Sequence, residues 1–375
     1  MKILKHIKHI GKQKNKWYSL ANILKMKATY YMIFGKRANG KTFSVQEFAL
    51  KLWHDKSYCV GVIRRWDSDI MAKNGSAYWD GVVNEGLISK YTDGKWDRVF
   101  YRSKRWYFAK IDEKGKLIHD PEPFAYAFAL STWEHDKGST FPSINIILFD
   151  EFISRGLYLN DEFVIFMNVI STIIRRREEE FYIFMLANTV NMYGCPYFNE
   201  MGITHIKSMK QGSIEVYDYG DTGNRVAVEY VKDNDDVEYN PTNKYFAFDN
   251  PKLEMITGGV WEFDMYPHLP VKYQHKDVKF RYFISFEGEL LQCNIIKKDG
   301  YVFTYIHQKT TPISHPDKDL IYSVDYEPDK THRRNIMKPL TKKEDKIAWF
   351  FNHDRVFYQD NTVGEIVSNF MKVCR

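Results

Sequence analysis

The sequence predicts an α/β protein, with a mainly parallel β-sheet and its helices in the first part of the chain and a smaller α+β domain after it. Two observations favour this fold class. Up to about residue 200, short apolar runs alternate with segments in which apolar residues recur at helical spacing. Farther on, aromatic and β-branched runs follow one another with Gly-containing turns between them. We therefore expect domains at 1–200 and 229–375, joined by a linker of strands and turns at 201–228.

The composition is that of a globular protein long enough for two hydrophobic cores. The chain has 375 residues, 44% of them hydrophobic, and a net charge of +6. No run approaches the roughly 18 apolar residues of a transmembrane helix, and the amino terminus lacks the pattern of a signal peptide. The four cysteines form no C-x-x-C pair, which argues against a disulfide framework or a zinc cluster. We expect an intracellular, soluble protein without a membrane partner.

Basic residues are concentrated at the start of the chain. Residues 1–46 contain eleven Lys or Arg and no acidic residue, whereas residues 229–375 contain 21 basic and 23 acidic residues. A basic segment of this kind indicates a polyanion as partner, and the alternative is a solvated tail.

The first βα unit is predicted at residues 29–53. Residues 29–34 are β-branched and aromatic, as in a buried strand, and residues 42–53 carry apolar side chains near helical spacing. A second buried strand at 57–63 is followed by Arg64 and Arg65. These arginines are therefore expected at the sheet edge where ligands of parallel sheets bind.

The remaining elements of the first domain follow from similar patterns. Aromatic runs between residues 97 and 119, broken by basic residues, predict a β-hairpin insertion. Buried strands are expected at 124–130, 144–149 and 182–186. A helix of roughly 18 residues should precede the last of these strands, with Asn160 as its N-cap. Its apolar stripe would consist of Phe163, Phe166, Met167, Ile170 and Ile174.

The second domain is predicted to begin with three antiparallel strands at 280–309, with turns at Glu287-Gly288 and Asp299-Gly300. A helix from Thr341, a strand at 356–358 and a helix at 362–373 should follow.

Residues 35–42 match the phosphate-loop pattern G-x-x-x-x-G-K-[ST] between a predicted strand and a predicted helix. Such a loop wraps phosphates in backbone N–H groups at a helix amino terminus. Its lysine reaches the β- and γ-phosphates and its hydroxyl ligates Mg²⁺. The residues are Gly35, Lys36, Arg37, Ala38, Asn39, Gly40, Lys41 and Thr42.

Two acids follow the apolar run at 144–149. Asp150 is expected to hold Mg²⁺ through water, and Glu151 to orient or deprotonate the attacking water. The alternative, a helix cap or a solvated turn, fits less well after a buried strand. A carboxylate pair of this kind favours hydrolysis of ATP over nucleotide sensing.

Further candidates lie around the next strand. Asn188 follows the strand at 182–186, where an amide would sense the γ-phosphate, and the alternative is that it caps a turn. Arg175, Arg176 and Arg177 close the preceding helix, either as a solvated cationic end or as the source of an arginine finger for a neighbouring subunit. Lys137 is a second candidate for that role.

Together these motifs resemble those of the DNA packaging ATPases of small protein-primed phages of the phi-twenty-nine type, distant relatives of large terminases and FtsK-like translocases. The resemblance rests on FGKRANGKT, LSTWEHDKGSTFP, IILFDEF and the RRR helix followed by FMLANTVN, and spans residues 29 to about 200. It implies an ASCE-type P-loop ATPase that uses ATP and Mg²⁺ and forms a homo-oligomeric ring, usually of five. That ring would sit on the portal of a procapsid in the host cytoplasm and drive double-stranded DNA inward.

By the same resemblance, Asp150 and Glu151 match the metal and catalytic acids and Asn188 the sensor. One of Arg175 to Arg177, with Arg177 preferred, would be the trans-acting finger. The matching phosphate-loop residues are Gly35, Gly40, Lys41 and Thr42.

In that family the second domain resembles a ribonuclease-H-type nuclease that has lost its active site. Here the first strand of the domain carries Ser285 and Glu287 without a central aspartate, and Asp325 and Asp360 remain as candidate carboxylates or as turn residues. The domain would instead contact the portal, DNA or a structural packaging RNA.

Other functions stay open at this stage. A terminase with an active nuclease, a helicase or a nucleotide kinase would carry the same phosphate loop. A binding protein with a degenerate loop is disfavoured because every position of the motif is intact.

Overall fold

The computed structural model describes residues 3–9, 17–136, 141–154, 156–175, 177–189, 193–232, 265–269, 271–324 and 331–374. The chain divides into two compact units. The large unit comprises Met1–Val190 with Cys195–Val260, and the small unit comprises Asn191–Gly194 with Trp261–Arg375.

The large unit is built on an eleven-stranded sheet with helices. Its strands are β1 (Ile3–His9), β2 (Tyr30–Gly35), β3 (Cys59–Arg64), β4 (Arg98–Arg102), β5 (Arg105–Ile111), β6 (Leu117–His119), β7 (Ala125–Ala129), β8 (Ile144–Asp150), β9 (Tyr182–Asn188), β10 (Ser213–Tyr219) and β11 (Arg225–Tyr230). Its helices are α1 (Ala21–Leu24), α2 (Lys41–Lys56), α3 (Ala72–Ala77), α4 (Asp80–Asn84), α5 (Leu87–Tyr91), α6 (Glu162–Ile174) and α7 (Pro196–Glu200).

Six neighbouring strands of this sheet, β11-β2-β9-β8-β3-β7, pair in parallel. All residues of β2 and β8 are buried, which explains why these strands are continuously apolar rather than alternating. The predicted α/β class with a mainly parallel sheet is confirmed. The strands predicted around residues 30, 60, 127, 147 and 184 and the helix after β2 are also present.

The predicted hairpin at 97–119 is a three-stranded antiparallel meander, β4-β5-β6. It extends the main sheet, because Arg105 and Trp106 of β5 pair with Tyr126 and Ala125 of β7. The turn at Ser103 and Lys104 has positive φ at both residues, as a tight hairpin turn requires.

The second domain begins later than the sequence suggests. Residues 201–228, predicted as a linker, contain β10 and most of β11, and β11 lies parallel beside β2 in the large sheet. Val226, Ala227 and Val228 are buried there, so this segment completes the core of the large unit. The sequence of residues 201–228 is typical of a linker because its glycines are turn residues between short strands.

Part of the basic amino terminus is a strand. Residues 3–9 pair antiparallel with β10 along their whole length. The lysines at positions 2, 12, 14 and 16 lie outside the described residues.

Helix α6 is shorter than predicted and begins two residues after Asn160. Asp161 occupies the N-cap position without a side-chain cap, and the helix ends where Arg175 adopts a φ of 47°. Instead of a cap, the Glu162 carboxylate accepts a hydrogen bond of 2.9 Å from the N–H of Leu159. The apolar face is also rotated from the predicted stripe: its buried residues are Phe166, Val169, Ile170 and Ile173.

The small unit has a six-stranded mixed sheet in the order β16-β15-β12-β13-β14-β17. Its elements are β12 (Val278–Phe286), β13 (Glu289–Lys298), β14 (Tyr301–Gln308), β15 (Ile321–Ser323), β16 (His332–Arg333), α8 (Lys342–Asn352), β17 (Val356–Tyr358) and α9 (Asn361–Val373). The three antiparallel strands, the two Gly turns and both helices agree with prediction, and Thr341 caps α8 by accepting a hydrogen bond from the N–H of Glu344.

Within the described residues, no helix has the length and apolar character that crossing a bilayer requires.

A buried carboxyl group joins β11 to the segment that precedes α1. The Tyr18 hydroxyl donates a hydrogen bond of 2.6 Å to Oε2 of Glu229, whose side chain is buried. Burial raises the pKa of Glu229 to about 7, although the Tyr18 hydrogen bond lowers it.

This shift predicts a pH-dependent stability. Because the folded protein holds the Glu229 proton more tightly than the unfolded chain does, the contribution is complete below about pH 4.5 and is lost as the pH rises to about 7. Relative to Glu229→Gln, wild type should lose on the order of 3 kcal/mol across this range. Urea unfolding of both proteins at pH 4.5, 6 and 7.5 measures it, and parallel stability profiles would contradict the assignment.

Candidate active site

The predicted site residues meet at one edge of the large sheet. Strand β9 lies between β2 and β8, with Gly35 opposite Asn188 and Asp150 opposite Leu186. The segments that follow the three strands therefore converge at their carboxyl ends. They enclose a cavity of about 290 Å³ lined by Ala38, Asn39, Gly40, Lys41, Thr42, Phe43, Asp150, Glu151, Ala187 and Asn188.

The loop after β2 turns directly into helix α2. Gly40 has a φ of 88° at the N-cap of the helix, a conformation that glycine adopts without steric cost. At Gly35 the space is tight, because a Cβ there would lie 3.0 Å from Cβ of Val231 and would force that side chain to shift. The helix therefore begins at the cavity wall, where its first N–H groups and its dipole favour an anion.

Lys41 is buried with its ammonium group among oxygens. Its Nζ donates to the carbonyls of Gly35 and Lys36 at 3.2 and 2.7 Å. It also donates to Oδ1 of Asn39 at 3.1 Å and to Oδ1 of Asn188 at 3.4 Å. The structure thus brings the lysine of the loop together with the amide after β9.

Asp150 is buried and accepts hydrogen bonds from two hydroxyl groups. Oγ1 of Thr42 lies 3.4 and 3.3 Å from its two carboxylate oxygens, and the Tyr78 hydroxyl lies 3.2 Å from Oδ2. Burial raises the pKa of Asp150, while the charge of Arg64 and the two hydroxyl hydrogen bonds lower it. Thr42 and Asp150 together offer the oxygen ligands that Mg²⁺ prefers.

Glu151 is the more exposed of the two acids, with 58% of its side chain accessible. Its backbone lies in the left-handed region at a φ of 64°, which is uncommon for a residue with a side chain. Nη2 of Arg64 donates to Oε2 of Glu151 at 2.8 Å, and Nη1 lies 3.6 Å from Oδ2 of Asp150. Arg64 therefore contacts both acids.

Arg65, the next residue, holds the backbone that follows the acids. It donates to the carbonyls of Glu151 and Phe152 at 3.2 and 2.8 Å. Its guanidinium group also makes a buried two-point contact with Glu162, at 2.8 and 2.9 Å. A further hydrogen bond of 2.7 Å comes to Glu162 from the Tyr197 hydroxyl. This network fixes the chain where Glu151 adopts its left-handed conformation.

Arg64 and Arg65 lie at the sheet edge that the sequence predicts for them, but the sequence does not predict their contacts with the acids. The available signal for their role was their position: both follow a buried strand that neighbours the strand ending in Asp150. No sequence pattern indicated that Tyr78 belongs to the site, since it lies in a polar segment 72 residues before Asp150.

Arg177, the preferred candidate for the trans-acting arginine, lies away from this cavity. The guanidinium group of Arg177 donates to the carbonyls of Pro142 and Ile144, at the start of β8. Asp150 is at the other end of that strand, about 20 Å away by the usual rise per residue. Arg175 is exposed and follows α6 directly. Arg176 and Lys137 lie outside the described residues.

Acidic residues of the small unit have local structural contacts. Oδ1 of Asp360 accepts a hydrogen bond of 2.9 Å from the N–H of Val363, capping α9. Glu287 lies in the turn between β12 and β13 and accepts from the N–H of Gly194 at 2.9 Å. Asp325 lies outside the described residues. In the described part of the chain, no group of three or more His, Cys, Asp or Glu side chains is arranged to hold a metal ion.

A family model described as podovirus DNA encapsidation protein (Gp16) matches residues 12–218, more than half of the chain. The DNA packaging protein of Bacillus phage phi29 is 25% identical over 188 residues, which are 49% of this chain and 50% of that protein. The DNA packaging protein of Bacillus phage B103 is 29% identical over 174 residues, 46% and 47% of the two chains. The chain thus spans about half the length of the curated relatives it matches.

Two solved structures share the fold over nearly the whole chain. The bacteriophage Phi-29 viral genome packaging motor assembly is 18% identical, with a TM-score of 0.56, over 96% of this chain and 100% of that one. The Phi-28 gp11 DNA packaging motor is 19% identical, with a TM-score of 0.52, over 96% and 99%.

The buried contact between Arg65 and Glu162 predicts a large loss of stability when one partner is removed. Arg65→Met leaves a carboxylate with no accessible side-chain surface and no cation, which should lower the free energy of unfolding by about 3–5 kcal/mol. Arg98→Met is the matched control, because Arg98 contacts Asp97 at the same 2.8 Å on the surface. Urea unfolding should show no measurable change for the control. Equal effects of the two variants would contradict the importance of the buried network.

Proposed function

This chain belongs to the family of podovirus DNA encapsidation proteins, and we propose on that basis that it hydrolyses ATP to drive double-stranded DNA into a viral procapsid through the portal. One observation carries the proposal: the phosphate loop, the two acids and Asn188 converge on a single cavity of about 290 Å³. The names of the relatives, DNA packaging proteins, supply the task that hydrolysis would perform.

The chemistry follows from the groups that line the cavity. The phosphates of ATP would lie against the loop at 35–42 and the start of α2, where Lys41 offsets their charge. Thr42 and Asp150 would hold Mg²⁺, and their oxygens suit it. When bound, the ion neutralises charge on the β- and γ-phosphate oxygens.

Glu151 is the proposed general base. Its carboxylate reaches solvent at the cavity mouth, so it is placed to orient a water molecule for in-line attack on the γ-phosphorus. Arg64 holds that carboxylate at 2.8 Å, and Asn188 connects the end of β9 with Lys41 beside the phosphate loop. An amide at this position is suited to distinguish ATP from ADP.

We place ring assembly in the same proposal. Arg177 contacts the start of β8, about 20 Å from Asp150 by the length of that strand, so a catalytic role for it requires a neighbouring subunit. Arg175 is exposed, whereas only 16% of the Arg177 side chain is accessible, and a residue that reaches a neighbouring subunit must lie on the surface, which favours Arg175 as the trans-acting residue. A homo-oligomeric ring, which by family resemblance would have five members, would satisfy this requirement. Such a ring would act at the procapsid in the infected cell.

DNA grip is assigned to basic side chains. The hairpin of β4 and β5 carries Arg102, Lys104 and Arg105 at its tip, and such groups bind phosphates without reading sequence. The small unit would keep a ribonuclease-H-type fold without cutting DNA, and would contact the portal, DNA or a structural RNA. The mixed sheet of the small unit supports the proposed ribonuclease-H-type fold.

ATP turnover tests the proposed activity. With Mg²⁺, wild type should hydrolyse ATP faster when duplex DNA is added, and the stimulation should fall steeply with salt. Lys41→Ala and Glu151→Gln should each abolish turnover, because one removes phosphate binding and the other the base. Lys51→Ala, an exposed lysine on the same helix, is the control and should retain wild-type turnover. Turnover indifferent to DNA, with or without portal particles, would exclude a DNA motor and favour an enzyme such as a nucleotide kinase.

Mixed subunits test the trans-acting arginine. Arg175→Ala should bind ATP but turn over poorly, and mixing it with Glu151→Gln should restore part of the activity, because each subunit type supplies what the other lacks. A parallel mixture with Arg177→Ala separates the two arginines. Absence of recovery at every mixing ratio in both series would contradict a finger at either position.

A further inference from the structure

Tyr78 joins the segment between β3 and β4 to the acid at the end of β8. Its hydroxyl donates to Oδ2 of Asp150 at 3.2 Å, beside the Thr42 hydroxyl. We propose that Tyr78 is a positioning residue for Asp150, and that its hydroxyl fixes the carboxylate in the orientation that holds Mg²⁺. This inference rests on the proposed function, since it assigns Asp150 to the metal.

The ring of Tyr78 is held independently of Asp150. Its centroid lies 5.7 Å from the Trp106 ring and 6.0 Å from the Trp79 ring. Its carbonyl accepts a hydrogen bond of 2.7 Å from Nε2 of Gln46 on helix α2. The hydroxyl therefore has a fixed position, and the carboxylate of Asp150 aligns to it.

The other partners of Asp150, the Thr42 hydroxyl and the Arg64 cation, have further roles in the proposed chemistry. Thr42 would itself bind the metal, and Arg64 lies closer to Glu151, at 2.8 Å, than to Asp150, at 3.6 Å. Of these three partners, Tyr78 alone is assigned nothing but the orientation of the carboxylate. Partners of this kind commonly set the affinity of a metal site, because they hold its ligands in the binding geometry.

The hairpin of β4 and β5 supports Tyr78 from behind. Nε1 of Trp106, on β5, donates to the carbonyl of Gly75 at 2.7 Å, three residues before Tyr78. The Tyr101 hydroxyl, on β4, donates to the carbonyl of Ile70. Gly75 leaves no space for a side chain, since a Cβ there would lie 2.4 Å from the Tyr101 ring. The hairpin that carries the basic tip is thus packed against the residue that orients Asp150.

Tyr78→Phe tests the proposal because it removes the hydroxyl and retains the ring. Binding of Mn²⁺, a paramagnetic substitute for Mg²⁺, is measured by electron paramagnetic resonance in the presence of a non-hydrolysable ATP analogue. We expect the metal dissociation constant to rise about 10-fold or more. The Mg²⁺ concentration for half-maximal ATP turnover should rise in parallel. Metal-free binding of ATP should stay at its wild-type value, and the thermal unfolding midpoint should fall only slightly, by the loss of one hydrogen bond to Asp150.

Tyr217→Phe is the matched control. The Tyr217 hydroxyl also donates to a carboxylate, Glu215 at 2.6 Å, but on β10 and away from the cavity. Metal affinity should be unchanged in this variant. A metal dissociation constant of Tyr78→Phe within twofold of wild type would overturn the proposal, as would an equal change in both variants.

A double-mutant cycle with Asp150→Asn gives a second measurement. If Tyr78 acts through Asp150, adding Tyr78→Phe to Asp150→Asn should cause no further loss of metal affinity. Additive losses would overturn the proposal. If wild type binds metal and nucleotide but ignores DNA, the motor proposal fails while the comparison of Tyr78 variants still decides this one. If wild type binds no metal with the nucleotide, both fail.

Discussion

The pairing of β9 with both β2 and β8 is the constraint on which the site depends. Parallel register sets Gly35 beside Asn188 and Asp150 beside Leu186, so three chain segments far apart in sequence end at one edge. The hydrogen bond between Lys41 and Asn188 joins the phosphate loop after β2 to the end of β9. The contact between Thr42 and Asp150 joins the same loop to the end of β8, on the other side of β9. A shift in either strand pair would separate the groups that the proposed chemistry requires.

Buried charge then determines the detail of the site. Removing Asp150 from water disfavours its charged form, and Arg64, Tyr78 and Thr42 offset this cost with a cation and two hydroxyl groups. The buried contact of Arg65 with Glu162 acts on the backbone, because the same guanidinium group binds the carbonyls of the two residues after β8. Two adjacent arginines, Arg64 at the end of β3 and Arg65 directly after it, therefore set the side-chain position and the backbone conformation at the acids.

The sequence was informative wherever a local pattern determined the structure. The apolar runs predicted β2, β3, β8 and β9, and the motif at 35–42 located the turn into α2, since glycine and helix-start chemistry are local properties. Long-range contacts were not predictable in this way. Tyr78 and Glu162 reach partners 72 and 97 residues away, and periodicity carries no information about such pairs. The glycines between the short strands of residues 201–228 predict a linker, and only the pairing of β11 with β2 shows that the segment completes the sheet.

The central claim is that this sheet edge binds ATP with Mg²⁺, and calorimetric titration of ATP tests it most directly. The account predicts that wild type binds one ATP per chain and that Mg²⁺ tightens binding. It also predicts that Thr42→Val loses the effect of Mg²⁺ but still binds ATP, while Lys41→Ala loses binding itself. Equal affinity of wild type and Lys41→Ala for ATP, with or without Mg²⁺, would contradict it.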